Sequence, residues 1–556
     1  MFNIIFKSDN CPDIKTSAEK GANLLETALL AGVLIDSPCA GAGTCGKCKI
    51  KILSGTLEYE KNIHLSDKEY SEGYRLACQC RIVSDAEIYL PSSLSAFKSD
   101  IKTASLSSRD ELERYSLLLS KVFNSGIKKD ESSSGFGLAV DIGTTTVSAV
   151  LIDLKSGYVK AKASAGNAQI RYGADVINRI IASSKEGGRT RLKKAVREET
   201  ILPLISSLCN EAEIEPEKII KCVIAGNTTM EHLFVGEDAQ SIRLEPYVPK
   251  FLELHGKTAA DVGLPISESA PVIFAPNVGS YVGGDITAGT LMTLIWNSEE
   301  LSLFIDLGTN GEIVFGNKDF LLCCACSAGP AFEGGDISCG MRATDGAIES
   351  CAIDENSMEP VLGVIANVPP AGICGSGLID LISELFRTGI INAKGKFVKE
   401  GARIKHDEYM GSSYVVAFAS QSADGKDIEI TETDIDNFIR AKAAIFSAVR
   451  TLLSSLDMSV DMIEKIYIAG GIGSGINISK AIKIGMLPNV EERKYSYIGN
   501  SSLSGACAML LSKEAENKVF ETASNMTYIE LSTYPGYMEE FIAACFLPHT
   551  NALLFD

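Results

Sequence analysis

The chain has 556 residues, several times the usual domain length, and its 46% hydrophobic and 22% charged residues are ordinary globular material for two or three domains. A formal net charge of −19 argues against tight nonspecific binding to nucleic acid or an anionic membrane, which needs clustered Lys and Arg. Met1 to Asn10 lacks a signal-peptide pattern and no charge-free apolar run reaches the ~18–20 residues that span a bilayer, so a cytoplasmic protein is expected, its 16 cysteines serving as metal ligands or small core residues rather than disulfides.

In chain order, residues 1–91 read as a small α+β unit. Strands are predicted at Phe2 to Phe6, near Asp13 to Thr16, over the alternating Lys47 to Leu53 and at Ala86 to Leu90, with a helix over Leu24 to Ala31 and Pro91 as the stop. Between helix and third strand lies a loop rich in small residues. Its cysteines Cys39, Cys45 and Cys48, with Cys78, are spaced C-x5-C-x2-C-x29-C, which resembles the ligand pattern of a 2Fe-2S ferredoxin of β-grasp fold. Small residues there let backbone N–H groups approach inorganic sulfides. A zinc site is the bland alternative, but Cys45 and Cys48 are the only Cys-x2-Cys pair in this unit. Gly41-Ala-Gly-Thr-Cys-Gly-Lys-Cys48 falls short of a P-loop, ending in Cys where a magnesium-binding hydroxyl is needed. Cys80 points to the same side as Cys78 if that segment is extended, which would allow ligand swapping.

Residues 92–134 are rich in Ser and Lys and read as a linker with one helix over Arg109 to Phe123. Residues 135–556 carry an internal repeat. Leu138-Ala-Val-Asp-Ile-Gly-Thr-Thr-Thr146 and Leu303-Phe-Ile-Asp-Leu-Gly-Thr-Asn-Gly311 place Asp141 and Asp306 165 residues apart, implying halves of about 135–300 and 301–556. In each copy an apolar strand delivers Asp to a Gly/Thr turn suited to phosphate: Gly143, Thr144, Thr145 and Thr146 in one, Gly308, Thr309 and Asn310 in the other. Lys465-Ile-Tyr-Ile-Ala-Gly-Gly-Ile-Gly473 adds a strand and a glycine turn, where Gly470, Gly471 and Gly473 would flank adenosine. In this order the three motifs resemble the actin, sugar-kinase and heat-shock-protein ATPase superfamily, implying a duplicated ribonuclease-H-like (actin-like) ATPase domain within an α+β and α/β multidomain chain. Asp141 and Asp306 would then orient Mg2+ and the attacking water. Asp285 is open to a role toward metal or partner, with a helix N-cap after a glycine turn as the preferred reading. Cys323, Cys324, Cys326, Cys339 and Cys351 read as core residues, and His232 as a satisfied structural side chain.

Five further blocks carry a closer resemblance: Tyr172-Gly-Ala-Asp-Val-Ile-Asn-Arg179, Ala225-Gly-Asn-Thr-Thr-Met230, Ser327-Ala-Gly-Pro-Ala-Phe-Glu-Gly334, Gly372-Ile-Cys-Gly-Ser-Gly-Leu-Ile-Asp380 and Phe546-Leu-Pro-His-Thr550. They are similar to the reductive activators of corrinoid proteins. That resemblance implies a 2Fe-2S cluster, ATP and Mg2+ used to return a Co(II) corrinoid protein to the Co(I) form that accepts methyl groups, an external low-potential electron donor, and Glu333 near nucleotide or corrinoid. The short linker suggests that the additional small middle domain of some relatives is absent or reduced. A cluster near about −400 mV falls short of Co(I), and each ~59 mV of shortfall costs a factor of ten, so coupling to ATP is needed. Two other readings stand beside it: a kinase or hydrolase with a sensory ferredoxin, and an activator of another low-potential enzyme. No pattern sets the oligomeric state, and a homodimer stays open.

Overall fold

The computed structural model describes residues 1–8, 11–31, 33, 35, 37, 41, 43, 46, 48–90, 102–104, 135–407, 411–471 and 475–555. The expected linker helix at 109–123 lies outside these residues, as do Cys39, Cys45 and Gly473.

The first unit is a five-stranded sheet in the order β2-β1-β5-β3-β4, built from β1 (Phe2–Ser8), β2 (Cys11–Ala18), β3 (Lys49–Tyr59), β4 (Tyr74–Leu76) and β5 (Cys80–Tyr89). β1 pairs antiparallel with β2 and parallel with β5. The helix Leu24–Leu30 starts where the Asn23 side chain accepts from the Glu26 N–H, and it buries Leu24, Leu25 and Ala28 in the core with Ile4, Phe6, Ile50 and Ile88. This is the expected β-grasp arrangement. Strands β3 and β5 run well past their predicted lengths, because the added stretch of β3 holds exposed Ser54, Gly55, Thr56 and Glu58, which show no apolar run, and is made strand by pairing Leu57 with Ile82 and Tyr59 with Cys80.

The larger part holds two sheets of matching plan. The first, in the order β11-β12-β10-β7-β8-β9-β6, comprises β6 (Lys102–Ala104), β7 (Phe136–Ile142), β8 (Thr146–Asp153), β9 (Val159–Gly166), β10 (Ile219–Gly226), β11 (Lys257–Thr258) and β12 (Pro271–Phe274). In the second half, β13 (Ser302–Leu307), β14 (Gly311–Gly316) and β15 (Leu321–Cys326) form a meander. Two small three-stranded sheets follow: β16 (Ala347–Ile353), β17 (Pro360–Val364) and β18 (Gly372–Ile373), then β19 (Ile404–Asp407), β20 (Gly411–Ala417) and β21 (Ile428–Thr431). Finally β22 (Lys465–Ala469), β23 (Tyr495–Tyr497) and β24 (Met526–Tyr528) complete the second large sheet, in the order β23-β22-β13-β14-β15-β24. The series β12-β10-β7-β8-β9 repeats as β23-β22-β13-β14-β15. In each, the first strand of the meander lies parallel to a later strand, and Asp141 stands opposite Ala225 as Asp306 stands opposite Ala469.

The strands carrying these aspartates are apolar throughout because both sheet faces are covered. Leu138, Val140 and Ile142 face one core, whereas Ala139 faces another with Leu503, Ala506, Met509 and Leu510 of the helix Ser501–Leu511. That helix, from late in the chain, packs on the sheet of the first half. It meets the helix Gly284–Thr293 so closely that a Cβ on Gly505 would lie 2.1 Å from the Ala288 carbonyl. The helix pair brings Asp285 in the first turn of one helix, and Asn500 and Ser502 at the start of the other, to the aspartates of the two sheets.

Candidate functional site

The two Gly/Thr turns are hairpin tips. In the first, the Gly143 N–H donates to the Thr146 carbonyl at 3.1 Å, and a Cβ on Gly143 would lie 2.4 Å from that oxygen. The turn is braced from behind by residues that its own sequence does not reveal. Asn167 donates to the Gly143 carbonyl (2.9 Å), Asn227 to Thr144 Oγ1 (3.0 Å) and Arg179 to the Thr144 carbonyl (2.6 Å). Arg179 is fully buried, burial lowers its pKa to about 9, and its remaining N–H groups reach the Gly173 carbonyl and Gln169 Oε1. Asp141 is fixed by the start of the helix Ser501–Leu511: Asn500 Nδ2 donates to Oδ2 and Ser502 Oγ to Oδ1, both at 2.8 Å. In the second tip the Gly308 N–H donates to the Asn310 carbonyl at 3.0 Å.

The tips face each other. Thr145 Oγ1 and Thr309 Oγ1 are 3.1 Å apart, and Thr146 opens outward at the head of β8. Asp306 still touches solvent, yet burial and then the Asp141 charge raise its pKa to about 7. Asp285 is raised to about 8 by burial, then by Asp306 and Asp141, and Glu312 goes well above the carboxylate range by burial and then by Asp285 and Asp306. Four carboxyl groups crowded into one cleft repel one another, which a cation would relieve. Among the described residues no group of three His, Cys, Asp or Glu is spaced to hold an ion by itself; Mg2+ retains waters and takes phosphate oxygens, so one or two carboxylates suffice.

Two expectations are corrected here. Asp285 is not an N-cap: Gly283 caps the helix, while Asp285 sits in its first turn and joins the acidic cleft. Cys80 is not poised beside Cys78, because the short 3-10 turn Ala77–Gln79 breaks the extended run and leaves Cys80 buried in the sheet core, its thiol pushed up to about 12 by burial. His232 is satisfied as expected: Nε2 accepts from the Lys250 N–H at 3.2 Å, leaving Nδ1–H to donate to the Thr228 carbonyl at 2.7 Å, and burial lowers the ring to about 4. Cys323, Cys324 and Cys326 are core residues of β15 and Cys351 of β16.

At the end of β22, Gly470 adopts φ +94°, donates its N–H to the Gly499 carbonyl and accepts from Tyr497 Oη. A Cβ there would lie 2.2 Å from the Leu307 carbonyl and 2.8 Å from Asp306 Oδ1. Gly470→Ala is therefore expected to lose ~1–3 kcal/mol of stability and to weaken nucleotide binding by displacing Asp306, measured by urea unfolding and by calorimetric titration. Among the described residues nothing lies within 4 Å of the Cβ position of Gly471.

In the first unit, Cys48 and Cys78 are buried with their sulfurs 3.3 Å apart, and contact with Cys48 lowers the Cys78 thiol to about 7. Two thiols side by side, one already inclined to ionise, suit a shared iron–sulfur centre.

Comparison with known proteins adds the following. Residues 8–83 match the 2Fe-2S iron-sulfur cluster binding domain, residues 136–298 the RACo middle region, and residues 300–556 the C-terminal domain of RACo, described as the ASKHA domain. A middle region is thus present as residues 136–298, against the expected reduction. The chain is 35% identical over 416 residues, 73% of its length and 69% of the relative's, to the corrinoid activation enzyme RamQ of Eubacterium limosum. It is 25% identical over 422 residues, 70% of its length and 73% of the relative's, to the [Co(II) methylated amine-specific corrinoid protein] reductase of Methanosarcina barkeri. A solved structure, the reductive activator for corrinoid,iron-sulfur protein, aligns over 100% of both chains at 41% identity with a TM-score of 0.70. The cofactors that follow are a 2Fe-2S cluster and ATP with a divalent metal. No described helix is long and apolar enough to cross a membrane.

Proposed function

We propose that this chain, which belongs to the family of reductive activators of corrinoid proteins, uses ATP to return a Co(II) corrinoid protein to the Co(I) state. The observation that carries the ATP dependence is the pair of equivalent aspartates on facing hairpin tips, close enough that the Asp141 charge raises Asp306. Thr144, Thr145, Thr146, Thr309 and Asn310 offer hydroxyl, amide and backbone donors to phosphate oxygens, and Gly308, without a side chain, lets a phosphate approach the second turn. Asp141 and Asp306 would carry the divalent metal through its waters and orient the attacking water between them. Asn500 and Ser502 hold Asp141 so that its carboxylate need not reorganise when charge develops. Gly470 and Gly471 leave room for the base.

Cys39, Cys45, Cys48 and Cys78 would hold the cluster, which when bound supplies a one-electron carrier. Cys48 and Cys78 are buried in the apolar core, which keeps water from these two ligands. An external electron donor of low potential completes the scheme.

The test mixes the reduced, anaerobic protein with a Co(II) corrinoid methyl-transfer protein and follows the optical conversion to Co(I). Conversion with Mg-ATP and none with Mg-ADP is expected. Equal conversion with either nucleotide, or without any, would refute the ATP dependence.

A further inference from the structure

Glu333 occupies a position that none of the bracing contacts requires. It ends the 3-10 turn Pro330–Glu333, in the second half of the molecule. One oxygen, Oε2, accepts from Thr145 Oγ1 at 2.8 Å and from Thr309 Oγ1 at 2.9 Å. These hydroxyls belong to the two opposed phosphate turns. A single carboxylate oxygen thus takes the donors that a phosphate oxygen lying between the tips would take. The fully buried Arg179 guanidinium, behind the first turn, also interacts electrostatically with Glu333.

The turn bearing Glu333 is firmly mounted. Phe332 is buried and packs edge-on against Phe438 of the helix Glu432–Ser454 at 5.5 Å. Ser338 donates its N–H and Oγ–H to the Asp434 carboxylate at 2.7 and 2.6 Å, and Asn437 Nδ2 donates to the Asp336 carbonyl at 2.8 Å. The carboxylate is therefore held in the cleft by its own half while it reaches across to Thr145 of the other.

We propose that Glu333 is an internal phosphate mimic, a latch that joins the two phosphate turns when no nucleoside triphosphate is bound and that the terminal phosphate of ATP must displace. This inference rests on the ATP-site reading. It goes further in assigning Glu333 to competition with the terminal phosphate, so that the cleft discriminates triphosphate from diphosphate. Displacement breaks the contact between the halves at Thr145, and the mounting of the turn on the helix Glu432–Ser454 carries that change into the second half. Two like-charged acceptors cannot share the same two hydroxyl donors, which makes carboxylate and phosphate mutually exclusive there.

The experiment titrates the full-length, cluster-loaded protein calorimetrically with the Mg2+ complexes of the β,γ-imido analogue of ATP and of ADP, for wild type, Glu333→Gln and Glu333→Asp. Glu333→Gln removes the charge and is expected to bind the ATP analogue about tenfold tighter, with ADP affinity unchanged. Glu333→Asp keeps the charge on a side chain too short to reach both turns and should gain less. Unchanged or weaker binding of the ATP analogue by Glu333→Gln, with wild-type binding intact, overturns the latch and leaves the ATP site standing. A gain equal for ADP and the ATP analogue also overturns it, since ADP lacks the competing phosphate. If neither wild type nor Glu333→Gln binds either nucleotide, the ATP-site reading itself fails and the latch with it.

Discussion

Asp306→Asn is expected to hydrolyse ATP at least ~100-fold more slowly than wild type and yet to melt at a higher temperature. Asp306 keeps its proton to about 7 and its neighbour Asp285 to about 8, whereas an unfolded aspartate releases it near 4. Between those values the folded chain binds more protons than the unfolded one, so this cleft loses stability as pH rises from about 4 to about 8. Asparagine carries no charge to be repelled. After allowing for solvent in the cleft, the gain at pH 8 should be about 1–2 kcal/mol, a rise in melting temperature of a few degrees. It should shrink toward pH 5, where wild type too is largely protonated at this position, and again when Mg-ADP supplies the missing positive charge. The checks are metal-free thermal melts at pH 5 and pH 8 with phosphate release measured in parallel. A variant that melts with wild type at pH 8 would show that the carboxylates do not repel one another, and one that still turns over ATP would remove Asp306 from the reaction. Destabilisation held in an acidic cleft until a cation arrives is a common bargain at functional sites.

The second large effect lies in the ferredoxin unit. Cys78→Ser replaces a thiol that stands 3.3 Å from Cys48 by a hydroxyl that is a poor ligand for iron. The purified variant should lack the visible absorption of the cluster and should give no conversion of the Co(II) corrinoid protein, while its ATP hydrolysis stays at the wild-type level. The separation is expected because the core around Cys48 and Cys78 contains residues of the first unit alone, with the nucleotide turns anchored in other cores. Retained Co(II) reduction without a cluster would sink the assignment of the electron path. ATP hydrolysis that falls with the cluster would instead reveal control of the nucleotide site by the ferredoxin unit.

Much of this architecture could be read along the chain. Each motif is a local object: an apolar strand, a turn of small or hydroxylated residues, a second strand. Strand period and turn chemistry act over a few residues, so β7 with β8 and β13 with β14 were legible as hairpins and their likeness as a duplication. The likeness of β10 to β22 is less legible: β10 closes on Ala225-Gly226 and β22 on Ala469 with Gly470 just beyond, and only the pairing of Ala225 with Asp141 and of Ala469 with Asp306 shows that the two strands correspond. A glycine turn followed by an acidic residue announces a helix start but not which residue caps it, so the sequence alone does not decide between Asp285 as cap and Asp285 as a member of the acidic cleft.

By itself the sequence displayed the C-x5-C-x2-C-x29-C spacing, the two Gly/Thr turns after apolar strands and the glycine turn after Ala469, because each is a pattern of residue types that can be read without knowing how the segments pack. Only the tertiary structure decided that Asn500 and Ser502 hold Asp141 across 359 and 361 positions, that Arg179 stands behind Thr144, that Asp285 and Glu312 share the cleft with Asp306, and that Glu333 reaches Thr145 across 188 positions. The helices Gly284–Thr293 and Ser501–Leu511 bring Asp285, Asn500 and Ser502 to the aspartates, the helix Val176–Ser184 brings Arg179, and the helix Glu432–Ser454 carries the turn of Glu333, so chain segments meet through buried surface that no local pattern encodes.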